Sequence, residues 1–181
     1  LDYCGKCLLQ LCFSETPGSQ MRKSATDCHP RRRGNAVRCA LMKILLPETK
    51  RWVHDSPMDV RWGDMDSLGH VNNIMYFRYM ETARVEWMRS TRDTPHEGNQ
   101  GPVVVNCFCN YLRQVEYPAQ LVVKMYVSDA ARTAYKSKYD IEKVDEPGKV
   151  YANGGATVVW VDFDQQKAVD LPDWMRKMVT G

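Results

Sequence analysis

Asp66 and His70, four positions apart with Gly69 between them, stand just ahead of a segment whose apolar spacing predicts a helix from about Asn72 to Arg89. A helix start presents unpaired backbone N–H groups and the positive end of the helix dipole. Those groups can hold the oxyanion that develops during acyl transfer, while a neighbouring carboxylate activates water or attacks the carbonyl itself. A carboxylate is ionised at neutral pH, so Asp66 is suited to act as base or nucleophile rather than acid. His70 is the rival general base, because an imidazole titrates close to neutrality. Gly69 allows the backbone to approach a substrate closely, and Asn72 is suited to cap the helix. The alternative for Asp66 is a purely local one, a turn or cap residue before the helix.

These groups need a scaffold to position them. Met58 to Trp62 reads as a first strand, with a turn from Gly63 to Gly69 leading into the helix. In that helix Tyr76, Met80, Ala83 and Trp87 share one face while Ile74, Phe77 and Met88 populate another, so the rest of the chain must wrap it. After a polar loop from Ser90 to Gly101, Val103, Val105, Cys107, Cys109 and Tyr111 alternate onto one face, as do Leu121, Val123, Met125 and Val127. Tyr135, Ser137, Tyr139 and Ile141 then alternate with Lys136, Lys138, Asp140 and Glu142, predicting a strand with one wet face. A long strand from Val150 to Phe163 contains Gly154-Gly155, suited to a bulge or sharp curvature. A short amphipathic helix from Pro172 to Val179 ends the series. Strand, long helix and then four closely connected strands predict an α+β fold with an antiparallel sheet packed on a central helix.

The chain has 181 residues with 44% hydrophobic content, enough for one domain with its own core and some excess. Its formal charge of +3 is unevenly placed: residues 1–50 hold nine Lys and Arg against four Asp and Glu, leaving the remainder slightly acidic. Only Arg31-Arg32-Arg33 resembles a basic patch, which argues against nucleic acid as a partner. Residues 1–41 lack periodicity and are expected to be disordered or extraneous, with Met42 as the natural start, 42–57 as a lead-in and 58–179 as the domain. A zinc site from Cys4, Cys7, Cys28 and His29 is the rival reading of the leading segment, although a lone C-x-x-C without a second spaced pair is weak support. Cys107 and Cys109, on one strand face, are expected as small core residues rather than a disulfide, consistent with a reducing, cytoplasmic setting. No apolar run approaches the ~20 residues that span a bilayer, and the short run after Lys6 makes a poor signal peptide.

The pattern Asp66, Gly69, His70, Val71, Asn72, Asn73, Tyr76, Tyr79, Glu81, Ala83, Arg84 resembles that of hotdog-fold acyl-CoA thioesterases of the 4-hydroxybenzoyl-CoA thioesterase-like group. The resemblance implies a hotdog fold, an antiparallel sheet wrapped around the long helix, and hydrolysis of acyl-CoA to a free acid and CoA, a step belonging to fatty-acid or related acyl metabolism. It implies Asp66 as nucleophile or base, the Asn73 main-chain N–H as oxyanion donor and Arg132 on the CoA phosphates; from the residues themselves, Asn72 has substrate binding as a secondary role beside capping, and Tyr76, Phe77 and Trp87 are expected as core with one edge meeting the acyl group. It further implies no cofactor beyond the CoA of the substrate, no metal, and a homodimer or homotetramer with the site at the subunit interface. Plant acyl-ACP thioesterases carry a similar Asp-x-Asn-x-His entry, but Leu68 here stands where the Asn would be. Glu81 and Arg84, three apart, are expected to form an ion pair, with Glu81 a lesser catalytic candidate. The alternatives are a hotdog hydratase or dehydratase acting on acyl thioesters, whose Asp and His spacing differs, and a non-enzymatic acyl-CoA binding module.

Overall fold

The computed structural model describes residues 49–91 and 98–181. The expectations for residues 1–41, including the cysteine and histidine grouping, lie outside the described residues. The elements run β1 (Arg51–Asp59), a short 3-10 turn (Trp62–Asp64), α1 (Asn73–Ser90), β2 (Gln100–Tyr111), β3 (Gln120–Ser128), β4 (Ala134–Lys143), β5 (Val150–Asp162), β6 (Lys167–Ala168) and α2 (Asp173–Thr180). The main strands form an antiparallel sheet in the order β1-β3-β4-β5-β2, with β6 paired to β5. Its inner face packs on α1, which is the hotdog arrangement that the resemblance implies. Among the described residues no helix is long and apolar enough to cross a membrane.

The core follows the expected periodicities. Tyr76, Tyr79, Met80, Ala83 and Trp87 of α1 are buried against Leu121, Val123, Met125 and Val127 of β3 and Tyr135, Tyr139 and Ile141 of β4. Tyr76 packs edge-on to Tyr79 and Tyr111, with ring centroids 6.2 and 5.2 Å apart. Such perpendicular contacts suit the ring quadrupole and add to the area buried.

Several local expectations are corrected. The first strand runs Arg51–Asp59 rather than Met58–Trp62, pairing with β3 from Arg51↔Val127 to Asp59↔Gln120. As an edge strand it tolerates Pro57 and polar residues that mask its pattern. In β2 a register shift between Val104 and Asn106 changes the alternation. Pro102 and Val104, not Val103 and Val105, therefore share the α1 side with Cys107. Cys107 is exposed rather than core, whereas Cys109 is partly buried against the core. On the outer face of β4, Glu142 is buried rather than wet, its carboxylate accepting from Lys124 Nζ at 2.9 Å and from the Gly148 N–H at 2.7 Å.

Gly154 and Gly155 sit in unbroken register with Cys109 and Phe108 rather than at a bulge. A Cβ on Gly154 would stand 2.5 Å from the Phe108 carbonyl oxygen and 2.7 Å from Met80 Sδ. The missing side chain therefore lets α1 settle onto β5. Gly154→Ala is expected to cost about 1–3 kcal/mol by overpacking, read as a lower urea midpoint with unchanged slope; an unaltered midpoint would refute the tight contact. Burial, followed by the nearby Cys109, pushes the Tyr76 phenol from its ordinary value near 10 up to about 12. Because the folded value is the higher one, the stabilisation is complete below pH ~10 and falls away as pH rises through ~12, by about 1.4 kcal/mol per pH unit. Urea midpoints measured from pH 8 to 12 should drop over that window less steeply in Tyr76→Phe than in the wild type.

Candidate functional site

The segment before α1 is a small closed hairpin. Met65 and Val71 form an antiparallel bridge, the Asp66 N–H donates to the His70 carbonyl at 2.8 Å, and the Gly69 N–H donates to the Asp66 carbonyl at 3.1 Å. Gly69 has φ +79°, a left-handed conformation in which a Cβ is strained. Asp66 Oδ1 accepts the Leu68 N–H at 2.8 Å, so the side chain does serve the turn, and only through one oxygen. The local and the chemical readings of Asp66 are thus compatible.

Asn72 caps α1, its Oδ1 accepting the Ile74 N–H at 3.0 Å and its carbonyl accepting the Met75 N–H at 2.9 Å. Its own N–H donates to the Asp64 carbonyl at 2.8 Å. In this first turn, among the described residues, the N–H of the exposed Asn73 is the donor left open toward solvent. The Asn73 carbonyl accepts the Tyr111 hydroxyl at 3.0 Å, which ties the helix start to β2. His70 lies beside the loop that follows β2: its Nε2 stands 3.9 Å from Glu116 Oε1, and the neighbouring Val71 N–H donates to the Val115 carbonyl at 2.8 Å.

Two expected site residues sit elsewhere. Tyr76 is 3% exposed within the core and offers a ligand no open surface in the single chain. Arg132 lies in the β3–β4 turn and pairs with Asp170. β3 enters at Gln120, beside Asp59 at the Asp66 end, and leaves at Ser128, beside Arg51 at the other. The two ends are roughly 27 Å apart at ~3.4 Å per residue. Arg132 of one chain is therefore remote from Asp66 of the same chain. The expected Glu81–Arg84 pair is replaced by Arg78–Glu81 at 2.9 Å, while Arg84 donates to the Tyr139 hydroxyl at 3.1 Å. Both pairings satisfy a three-residue helical spacing, and the buried phenol is what draws Arg84 inward. Among the described residues no group of three or more His, Cys, Asp or Glu could hold a metal ion.

Asp64 is the residue that sequence reasoning missed. It is 7% exposed, and its Oδ2 accepts both the Tyr79 hydroxyl at 2.8 Å and the Arg61 N–H at 2.9 Å. Burial, and then the bond to Asp64, push the Tyr79 phenol well above its ordinary range, so it stays a donor. The available signal was the spacing Asp64-x-Asp66 beside Tyr79, one carboxylate for the fold and one for the surface. Truncation by Asp64→Ala leaves a buried hydroxyl and a backbone N–H without their acceptor, for an expected loss of about 2–3 kcal/mol. Asp64→Asn, which keeps an acceptor oxygen, should recover part of it in chemical denaturation; equal losses in the two variants would contradict the bonding described.

Between α1 and the β2–β5 edge lie two adjoining cavities of about 330 and 370 Å³, both lined by Arg84 and Val104. The first begins at Ile74, one residue from Asn73, so apolar space opens next to the helix start. The family model of the thioesterase-like superfamily matches residues 60–179. The PA2801 protein of Pseudomonas aeruginosa, a candidate thioesterase, is similar in structure with a TM-score of 0.65 and 34% identity, covering 70% of this chain and 98% of that one. A candidate acyl-CoA thioesterase from Xanthomonas campestris has a TM-score of 0.57 and 34% identity, covering 62% and 96%. The uncharacterized protein YsmA of Bacillus subtilis is 27% identical over 116 residues, which is 64% of this chain and 78% of YsmA. With a match that takes in α1 and every strand after β1, and a relative of this similarity covered almost end to end, the chain belongs to the thioesterase-like superfamily.

Proposed function

We propose that this protein hydrolyses acyl-CoA thioesters to a free acid and CoA, with Asp66 as nucleophile or general base. The observation that carries the reading is the joint placement of Asp66, in a pinned hairpin with one carboxylate oxygen committed to the turn, and the open Asn73 N–H at the start of α1. The thioester carbonyl oxygen would accept the Asn73 N–H, where the helix start stabilises the charge of the tetrahedral intermediate. The free Asp66 oxygen would draw a proton from water, whose oxygen bonds to the acyl carbon, or attack that carbon itself to form an anhydride that water then opens. The carbon–sulfur bond breaks in either route and the sulfur leaves as thiolate. A thiol with a pKa near 8.5 needs no strong acid to depart. His70, close to Glu116, is the second candidate base.

The reading extends to self-association. β2 is an edge strand on which Val103, Val104 and Val105 are exposed. Unpaired strand edges of this composition favour pairing with another strand. A second copy in antiparallel register along β2 would bring its Arg132 end toward the Asp66 end of the first. In that assembly Arg132 has a use on CoA phosphates, a task suited to guanidinium.

Free-thiol release from short, long and aryl acyl-CoA esters tests the activity. Wild type should turn over at least one ester, and Asp66→Ala should lose on the order of a hundredfold or more in kcat, the scale of a missing acid–base group. Equal activity of the two proteins would remove Asp66 from the chemistry and move the role to His70, which His70→Ala would then have to abolish.

A further inference from the structure

Arg84 has an environment that an apolar acyl site does not require. Tyr139, only 1% exposed, accepts the Arg84 guanidinium at its hydroxyl and donates to Ser137 Oγ at 2.9 Å. The Ser137 hydroxyl in turn lies 3.5 Å from the Ala156 carbonyl. This chain of buried partners holds the half-buried guanidinium against the groove, where it lines both cavities. Among the described residues Arg84 is in no ion pair; the other charges on the first cavity, Arg78 and Glu81, neutralise one another. The rest of that wall is apolar, including Ile74, Phe77, Met80 and Val104. A guanidinium has five N–H donors, and the phenol takes one. The remaining donors are available to a ligand in the groove that Arg84 lines, and a planar carboxylate matches their fork.

We infer that the groove takes an acyl group ending in a carboxylate, with Arg84 binding that distal carboxylate while the thioester carbonyl lies at the start of α1. The inference rests on the acyl-CoA reading given above and narrows it to half-thioesters of dicarboxylic acids. Helix geometry sets the length. From Asn73 to Arg84 the axis rises about 16 Å, and the arginine side chain leans back toward the helix start. That leaves on the order of 10 Å, the reach of an extended chain of roughly eight carbons. The Tyr139 and Ser137 hydroxyls make Arg84 a fixed reader of position rather than a mobile surface charge, so chain length and terminal charge are selected together.

The test compares the mono-CoA thioester of octanedioic acid with octanoyl-CoA, in wild type, Arg84→Met and Arg84→Lys. Wild type should favour the carboxylate-bearing ester by about tenfold or more in kcat/KM, carried mainly by KM. Arg84→Met should reduce that ratio by about ten- to a hundredfold, the scale of a charge-assisted hydrogen-bond pair, and Arg84→Lys should retain part of it. Octanoyl-CoA as the better wild-type substrate, or the same ratio in Arg84→Met and wild type, overturns the inference. Should Arg84→Met fail to fold, the wild-type ratio and Arg84→Lys decide alone. Titration calorimetry with non-hydrolysable thioether analogues of the same two compounds separates the two layers of the argument. Tighter Arg84-dependent binding of the carboxylate-bearing analogue without any ester hydrolysis would sustain the groove and sink the thioesterase reading. Equal binding of both analogues would sink the groove assignment whatever the activity.

Discussion

The bond from the Tyr79 hydroxyl to the Asp64 carboxylate is the constraint on which the rest of the site depends. It joins the buried face of α1 to the turn that precedes it, and the same carboxylate oxygen also receives the Arg61 N–H. The Asp64 carbonyl holds the Asn72 N–H, so a single residue locates both the entry to the turn and the start of the helix. A side chain so nearly buried is tolerated because two donors reach its Oδ2. Between these fixed points the Asp66 hairpin has little freedom, and the carboxylate at the entry to its turn and the open N–H at the helix start share one frame. Preorganised donors of this kind act on a developing charge without having to rearrange.

The helix is pinned at its start by Asp64 and drawn onto the sheet by the missing side chain at Gly154. That close approach is local. Farther toward β2 the helix and the strand diverge, leaving Ile74 and Val85 exposed and the groove open between them. One helix therefore has two surfaces with different uses: Tyr76, Met80, Ala83 and Trp87 give stability, while Ile74, Phe77, Arg78, Glu81 and Arg84 face a space large enough for a ligand. The exposed apolar β2 edge beside it gives the superfamily membership a structural corollary, since an edge of that kind is an invitation to another strand.

Much of this was legible locally. The cap at Asn72, the length of α1 and the inward alternation of β3 and β4 all follow from contacts within a few residues, and each stood where the pattern predicts. The pattern failed where a residue's role depends on a strand distant in sequence. β1 was misplaced because an edge strand can be polar and can carry Pro57. The faces of β2 depart from simple alternation because its register shift is set by pairing with β5. Alternation alone places Glu142 on the wet face, whereas its burial depends on Lys124 across the sheet and on the Gly148 turn.

The helix, its cap, the turn that ends at Gly69 and the carboxylate beside a helix start are readable in the chain alone, because backbone sterics and short-range hydrogen bonds act over a handful of residues. The sequence also carried the family pattern from Asp66 to Arg84. Tertiary packing chose which arginine Glu81 pairs with, put Arg132 at the far end of the sheet from Asp66, and buried Asp64 while leaving Asp66 partly exposed. Those outcomes depend on which side chains meet across β3, β4 and β5, and identical local spacings leave that choice to packing, where burial makes an unpaired polar group costly.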